Sequence, residues 1–597
     1  MKNQKENIIH LLVRLWRHLP KRRYRQFAFL LILIVFSSFT EVLSIGAIVP
    51  FLTILTSPDK IFQSNYAKPF IEFFNYTNSS QLILPLVIIF ILFALLAGAS
   101  RLLLLWVSTK LSFATGADIS IDIYRKTLFQ PYKIHIARNS SDVVSGITGK
   151  AGKLVFAVIL PTVTMLSSSV IIVSILSAVI AVDPNISLLA FLGFGVLYGI
   201  IAFLAKNRLS KNSKIISKEY VQVHKALQEG LGGIREVLLD GSQNVFCKIY
   251  QASEQNLRKA YADTTFTGVS PRFAMESLGM VLIAVFAYFT FTGEGFTSAI
   301  PILGTLAVGA QRILPVLQQA YNAWTSIRSN QALLVDVLAF LDQPLPAYAN
   351  LPHPEPMQFQ KYIKISDLSF RYNSDLPDVL NSINLEIPKG ARVGFIGSTG
   401  SGKSTLIDIL MGLLEPTSGV IQVDETKLDQ TSMRSWQTNI AHVPQNIFLA
   451  DISISENIAF GIPKEKIDKS RVAYAAKQAQ IDGFIQTLED GYDTSVGERG
   501  VRLSGGQRQR IGIARALYKK ASVIVFDEAT SALDNETEEA VMNAISNLGS
   551  DLTIIMIAHR LSTIQNCDMI IELKDGNIFR KGKYNELFND SNESVLV

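Results

Sequence analysis

The sequence predicts an α-helical membrane domain of six transmembrane helices followed by an α/β P-loop domain. Composition is the first reason. Of 597 residues, 48% are hydrophobic and 18% charged, with a mean hydropathy of +0.27, whereas an average soluble chain carries roughly 25% charged residues. The second reason is how the net charge of +6 divides. Residues 1–345 carry 31 Lys and Arg against 18 Asp and Glu, and residues 346–597 carry 25 against 32, so a +13 apolar half precedes a −7 half. The third is an apolar strand, Val393-Gly-Phe-Ile396, running into Gly397-Ser398-Thr399-Gly400-Ser401-Gly402-Lys403-Ser404-Thr405 and then a helical stretch over 406–414. This composition excludes disordered, collagen-like and disulfide-stapled classes. Cys247 and Cys567 stand 320 positions apart with no CxxC or Cys/His cluster, which argues against a disulfide framework or a zinc site.

A bilayer crossing needs about 20 apolar residues. The first half supplies six windows, at about 26–58, 81–107, 154–182, 184–205, 277–293 and 295–320. Glu41 interrupts the first, Asp183 separates the third from the fourth, and Glu294 the fifth from the sixth. Basic loops stay cytoplasmic. Lys21, Arg22, Arg23 and Arg25 precede the first window and the connections 110–153 and 206–272 are basic, whereas the turns at 183 and 293–298 hold no Lys or Arg. Both termini and everything beyond residue 345 are therefore expected in the cytoplasm. The basic residues alternate with long uncharged stretches instead of forming one solvated face, so no nucleic-acid partner is expected. Ahead of the first window, Ile8, Leu12, Leu15, Trp16 and Leu19 share a helical face opposite Arg14 and Arg17, the pattern of a helix lying in the membrane interface.

Residues 1–345 thus read as a membrane domain, the Pro-rich 346–356 as a linker, and 357–597 as an α/β domain. Within the last, 397–405 is the pattern GxxxxGK[ST] in its strand–loop–helix context. Its glycines let backbone N–H groups turn inward around phosphates, and the following helix adds its positive end. Lys403 is placed to reach the β- and γ-phosphates of ATP, and the Ser404 hydroxyl to coordinate Mg²⁺. A second buried strand, Val523-Ile-Val-Phe, ends in Asp527 and Glu528. That position suits Asp527 to hold the metal through water and Glu528 to polarise a water attacking the γ-phosphate.

Between these strands stands Leu503-Ser504-Gly505-Gly506-Gln507, and with it the whole chain resembles the ABC transporter superfamily. The resemblance implies a membrane domain like that of type IV ABC exporters and places further elements in order. Tyr372 resembles the aromatic that stacks on adenine, Gln445 the Q-loop glutamine that also contacts the metal, and 497–500 the exporter-type X-loop. Asp534 resembles the D-loop aspartate and His559 the H-loop histidine. It implies catalytic roles for Glu528, His559 and Gln445. In the family, Ser504, Gly505, Gly506 and Gln507 face the γ-phosphate held by a partner chain, so a half-transporter acting as a homodimer with two composite ATP sites is expected. The segments 130–141 and 225–232 resemble the two coupling helices, with inward-facing and ATP-bound outward-facing states as alternating forms.

Ionisable residues inside a membrane are expensive and point to function. Arg101, Arg272 and Arg312 fall within or beside the second, fifth and sixth windows, and the planar guanidinium suits phosphate oxygens. The membrane half looks closest to PglK-type lipid-linked oligosaccharide flippases through 41–52, 271–279 and 311–315. That resemblance implies an anionic-headed glycolipid as cargo, the membrane lipid as surroundings, the cytoplasmic (inner) membrane of a bacterium as location, and a surface helix near 61–74. Lipid A, a peptide or a hydrophobic drug remains an alternative cargo. A nucleotide-gated channel or regulatory ATPase would fit a damaged catalytic acid better than the intact Glu528.

Overall fold

In a bilayer the backbone must satisfy its own hydrogen bonds, and helices do so within one segment. The computed structural model describes the backbone of residues 7–56, 61–63, 71–72, 76–138, 143–182, 184–294, 296–528, 535–546, 551–558 and 564–588. The chain divides into a first unit, Met1–Gln130 with His135–Pro346, and a second, Pro131–Ile134 with Ala347–Val597.

The described residues of the first unit are helical apart from their connections. Stretches over Lys21–Leu55, Ser79–Leu128 and Gly146–Ala178 are long and apolar enough to cross a membrane. Helices Pro184–Gly232, Pro271–Glu294 and Phe296–Ser329 cover the fourth to sixth windows. At 1.5 Å per residue, the 46-residue helix Ile83–Leu128 and the 49-residue Pro184–Gly232 run far past any hydrocarbon core. The basic connections read from sequence are thus largely continuations of spans. The first window is broken: Lys21–Gly46 ends at Ala47 and Ile48–Thr56 begins anew. Pro50 has no N–H to offer the Gly46 carbonyl, which explains the break.

One expectation needs correction. Residues 225–232 are not a separate coupling helix but the end of Pro184–Gly232, where Lys225 pairs with Glu229 one turn on. The short helix is Ile234–Leu239, set off by Gly233 and closed by a turn at Gly241 with φ 61°. The N-terminal helix Ile8–Arg17 packs one side against protein. Leu11, Leu15 and Leu19 are buried in a core with Leu30, Ile34, Leu334 and Leu338, while Ile9, Val13 and Trp16 are exposed. Asp342 fixes it by accepting from Arg14 and pairing with His18 Nε2 at 2.9 Å. In the region 130–141 the structure has a helix at Tyr132–Ala137; most of 61–74 lies outside the described residues.

The second unit carries ten described strands: β1 Tyr362–Phe370, β2 Leu380–Pro388, β3 Arg392–Ile396, β4 Ser418–Val423, β5 Thr426–Lys427, β6 Ile440–Val443, β7 Val523–Asp527, β8 Thr553–Ile557, β9 Met569–Lys574 and β10 Asn577–Gly582. One sheet is antiparallel, β2-β1-β4-β5, and the other has the order β10-β9-β3-β8-β7-β6. β9, β3, β8, β7 and β6 of the latter are mutually parallel. Alternation along a strand sends side chains to opposite faces. Val523 and Val525 enter one core with Val393 and Phe395, while Ile524 and Phe526 enter another with Ile396. Trp436 is fully buried in the first of these, and its indole Nε1 donates to the Leu410 carbonyl at 2.8 Å. Trp436→Ala is expected to destabilise this unit by about 3–5 kcal/mol, read as a lower denaturant midpoint of the full chain's tryptophan-independent ATPase loss; an unchanged midpoint would contradict the packing.

Candidate functional site

The strand order makes the site. β3, β8, β7 and β6 are neighbours, so the loops leaving their carboxyl ends converge, the usual place for a ligand in an open parallel sheet. The loop after β3 needs backbone that only glycine supplies easily: Gly397 has φ 138° and Gly402 φ 100°. A Cβ on Gly397 would come within 2.1 Å of the Leu573 carbonyl. Helix Lys403–Leu410 then starts with its N-terminus at the loop. The Lys403 ammonium spans that loop, donating to the carbonyls of Gly397 at 2.7 Å and Ser398 at 3.0 Å. Burial pushes its pKa below the usual lysine value, with Glu528 and Asp527 opposing the shift. Among the described residues Ser401 Oγ is buried without a hydrogen-bond partner, whereas Ser404 is exposed. An orphaned hydroxyl inside a ring of inward backbone donors is what a phosphate group would complete.

Two strands over, Asp527 ends β7 in register with Ile557, and the Glu528 N–H donates to the Ile557 carbonyl at 3.2 Å. Glu528 takes φ 50°, a left-handed turn that few non-glycine residues adopt. Its Oε2 accepts from Gln445 Nε2 at 2.7 Å, where Gln445 follows β6. The structure therefore joins Lys403, Asp527, Glu528 and Gln445 in one neighbourhood. Asp408, one helix turn beyond Ser404, was not singled out by sequence. Burial, reinforced by Asp527, pushes its pKa up to about 6. An acid in the helix after a P-loop is the only sequence signal that would have pointed to it.

Tyr372, just past β1, stacks edge-on against Phe370, and its hydroxyl lies 3.2 Å from Thr405 Oγ1, which ties it to the same helix. The signature segment is built as a helix start. Ser504 caps Gly505–Tyr518, its hydroxyl accepting from the Gln507 N–H at 3.3 Å while its own N–H donates to Gln507 Oε1 at 2.8 Å. Such a reciprocal cap leaves the N–H groups of Gly505 and Gly506 at the open helix end. Ahead of it, 497–500 is a tight turn with φ 73° at Gly497 and 70° at Gly500. Asp534 and His559 lie outside the described residues.

The three arginines separate. Arg101 Nη2 and Arg312 Nη1 both meet Glu41 Oε1, at 2.7 and 2.6 Å, and Glu41 is 1% exposed. Arg272 pairs instead with Glu276 at 2.7 Å on its own helix. Sequence reading noted Glu41 as an interruption and missed it as the shared counter-ion; a lone acid in one span facing lone arginines in two others was the signal.

A P-loop and a carboxylate pair at the carboxyl ends of two parallel strands on either side of β8, in one chain with membrane-length helices, define a membrane protein powered by a P-loop ATPase. The chain belongs to the ABC transporter family. The family description "ABC transporter" matches residues 380–531 and "ABC transporter transmembrane region" matches 29–295. It is 30% identical over 470 residues to an ATP-dependent lipid A-core flippase of Saccharophagus degradans, covering 79% of each chain. Over 302 residues it is 39% identical to the leukotoxin translocation ATP-binding protein LktB of Mannheimia haemolytica, covering 49% of this chain and 42% of that one. Its fold is similar to that of a bacterial Atm1-family ABC exporter with ATP bound, at a TM-score of 0.75 and 22% identity over 94% of this chain and 96% of that one. The chain thus has the exporter-type half-transporter arrangement, binds ATP, and couples ATP hydrolysis to transport.

Proposed function

We propose that two copies of the chain form a homodimer that uses ATP to move a phosphate-headed lipid, a lipid-linked oligosaccharide or related glycolipid precursor, outward across the cytoplasmic membrane of a bacterium. The carrying observation is the Arg101–Glu41–Arg312 cluster, a net positive site among membrane helices. The similarity to lipid A-core flippases over most of the chain supports a lipid with phosphate groups. Peptide export is the second reading, favoured by the 39% identity to a leukotoxin translocation protein, which covers half of this chain. In this reading 1–345 is the membrane domain, 346–356 the linker and 357–597 the ATPase.

In the ATP site, the N–H groups over 397–405 and the Lys403 ammonium hold the phosphates, and Tyr372 meets the adenine. Ser404 and Gln445, with Asp527 through water, are the oxygen donors suited to Mg²⁺, which when bound neutralises phosphate charge. The exposed Ser404 hydroxyl and the half-buried Asp527 carboxylate fit that hard cation. Glu528 orients and polarises the attacking water, with Gln445 holding the carboxylate and His559 completing the γ-phosphate contacts. Ser504, Gly505, Gly506, Gln507 and Asp534 serve the nucleotide of the partner chain. ATP then favours the closed dimer, and transport follows because cargo affinity differs between the two states.

The full chain in proteoliposomes should show ATPase stimulation by polyprenyl-pyrophosphate-linked sugar or lipid A and none by an apolar peptide. Stimulation by the peptide alone would replace this reading with the second.

A further inference from the structure

Glu41 lies on the Lys21–Gly46 helix, and Arg101 and Arg312 reach its Oε1 from two other helices with 39% and 28% of their side chains exposed. The carboxylate is thus behind the guanidiniums. Each guanidinium has five N–H donors; Arg312 Nη1 donates to Glu41 Oε1, while Arg101 Nη2 lies 2.7 Å from the same oxygen as an ion pair without hydrogen-bond geometry, and the cluster carries a formal +1. Two further atoms stand out. Among the described residues Glu41 Oε2 is buried without a hydrogen-bond partner, and so is Ser44 Oγ, three residues on along the same helix face. Paired orphans of this kind call for an explanation, because buried polar atoms are nearly always bonded.

We propose that Glu41 is an internal counter-ion that competes with the transported anion for Arg101 and Arg312, and that Ser44 receives its carboxylate when the anion takes its place. This rests on the reading that the cargo has a phosphate head. A phosphate binding the arginines takes over the Arg312 donor now on Oε1 and gives Arg101 Nη2 the acceptor it lacks among the described residues. Glu41 then needs a new donor within the bundle, and the Ser44 hydroxyl has no other partner among the described residues. A transport site must also let go: binding has to be weak enough to allow release. Because the three charges sit on three helices, any shift between the first and sixth changes how firmly Glu41 holds the arginines, and with it the affinity for the anion. Glu41 is therefore a positioning residue that sets affinity against release.

The test uses the full chain in zwitterionic proteoliposomes, titrated with a polyprenyl pyrophosphate, lipid A, the uncharged polyprenol and inorganic pyrophosphate. Glu41→Gln is expected to lower the concentration of either phosphorylated lipid giving half-maximal ATPase stimulation by about tenfold while reducing maximal translocation per ATP. Loss of packing alone would not tighten the affinity and slow release together. Ser44→Ala is expected to raise the half-stimulating concentration, and it keeps the idea testable if Glu41→Gln fails to reconstitute. Inorganic pyrophosphate should compete with the lipids without stimulating; stimulation by it would mean that the free anion is the ligand, which overturns the lipid form of the proposal. A Glu41→Gln half-point unchanged within twofold, or raised, overturns the inference alone, as does an equal shift with polyprenol. A wild-type chain that no phosphorylated lipid stimulates removes the cargo reading and this inference with it.

Discussion

Glu528→Gln should bind ATP about as well as the wild type and hydrolyse it at least about 100-fold more slowly, within the range that a positioned general base contributes. The substitution is nearly isosteric. Glutamine tolerates the left-handed turn at this position, φ 50°, no worse than glutamate, and its amide oxygen can still accept from Gln445 Nε2, now 2.7 Å from the carboxylate. What is lost is the negative charge that polarises water. The variant should accumulate in the ATP-bound closed dimer, seen as nucleotide retained through gel filtration of the full chain. Phosphate release above a tenth of the wild-type rate would remove Glu528 from its role. Glu528→Ala is the less informative change, because it also releases Gln445 and puts a residue without a polar side chain at positive φ.

Motifs whose chemistry fixes the backbone could be read in advance. Gly397 and Gly402 need positive φ, β7 must end in its acids where β3 ends in the P-loop, and Ser504 with Gln507 closes a capping box. Each demand is local, so spacing along the chain carries it. The membrane half is different. Hydropathy locates apolar windows but is blind to where a helix breaks inside one, as Ala47 does after Gly46 and before Pro50. It is equally blind to which side of an amphipathic helix meets protein, so Leu11 and Leu15 prove to be core while Ile9 and Val13 stay exposed. The short helix at Ile234–Leu239 was misplaced by a few residues because Gly230, Gly232 and Gly233 offer three similar breakpoints. Pairing of charges is a tertiary fact: lone charges in three spans suggest that Glu41, Arg101 and Arg312 need partners, but their spacing does not say which of them meet.

That meeting makes the stability of the membrane half depend on charge count. Arg101→Ala and Arg312→Ala together strip the 1% exposed Glu41 carboxylate of both cations, and removing the partners of a buried charge costs about 3–5 kcal/mol. Each single substitution should cost clearly less than the pair, since the remaining arginine still reaches the same oxygen. Adding Glu41→Gln to the double variant should recover most of the loss by deleting the stranded charge. Arg272→Ala is the contrast. Its pair with Glu276 is 59% and 41% exposed, so solvent screens it and its loss should barely move the midpoint. Thermal midpoints of the full chain in detergent decide the matter: an additive pair of arginine effects, or no rescue by Glu41→Gln, would show that the three groups do not share one charge balance. The result also governs how transport by arginine variants is read. Lost translocation in the double variant reports on cargo only in the Glu41→Gln background, where the fold is no longer weakened by an unpaired carboxylate.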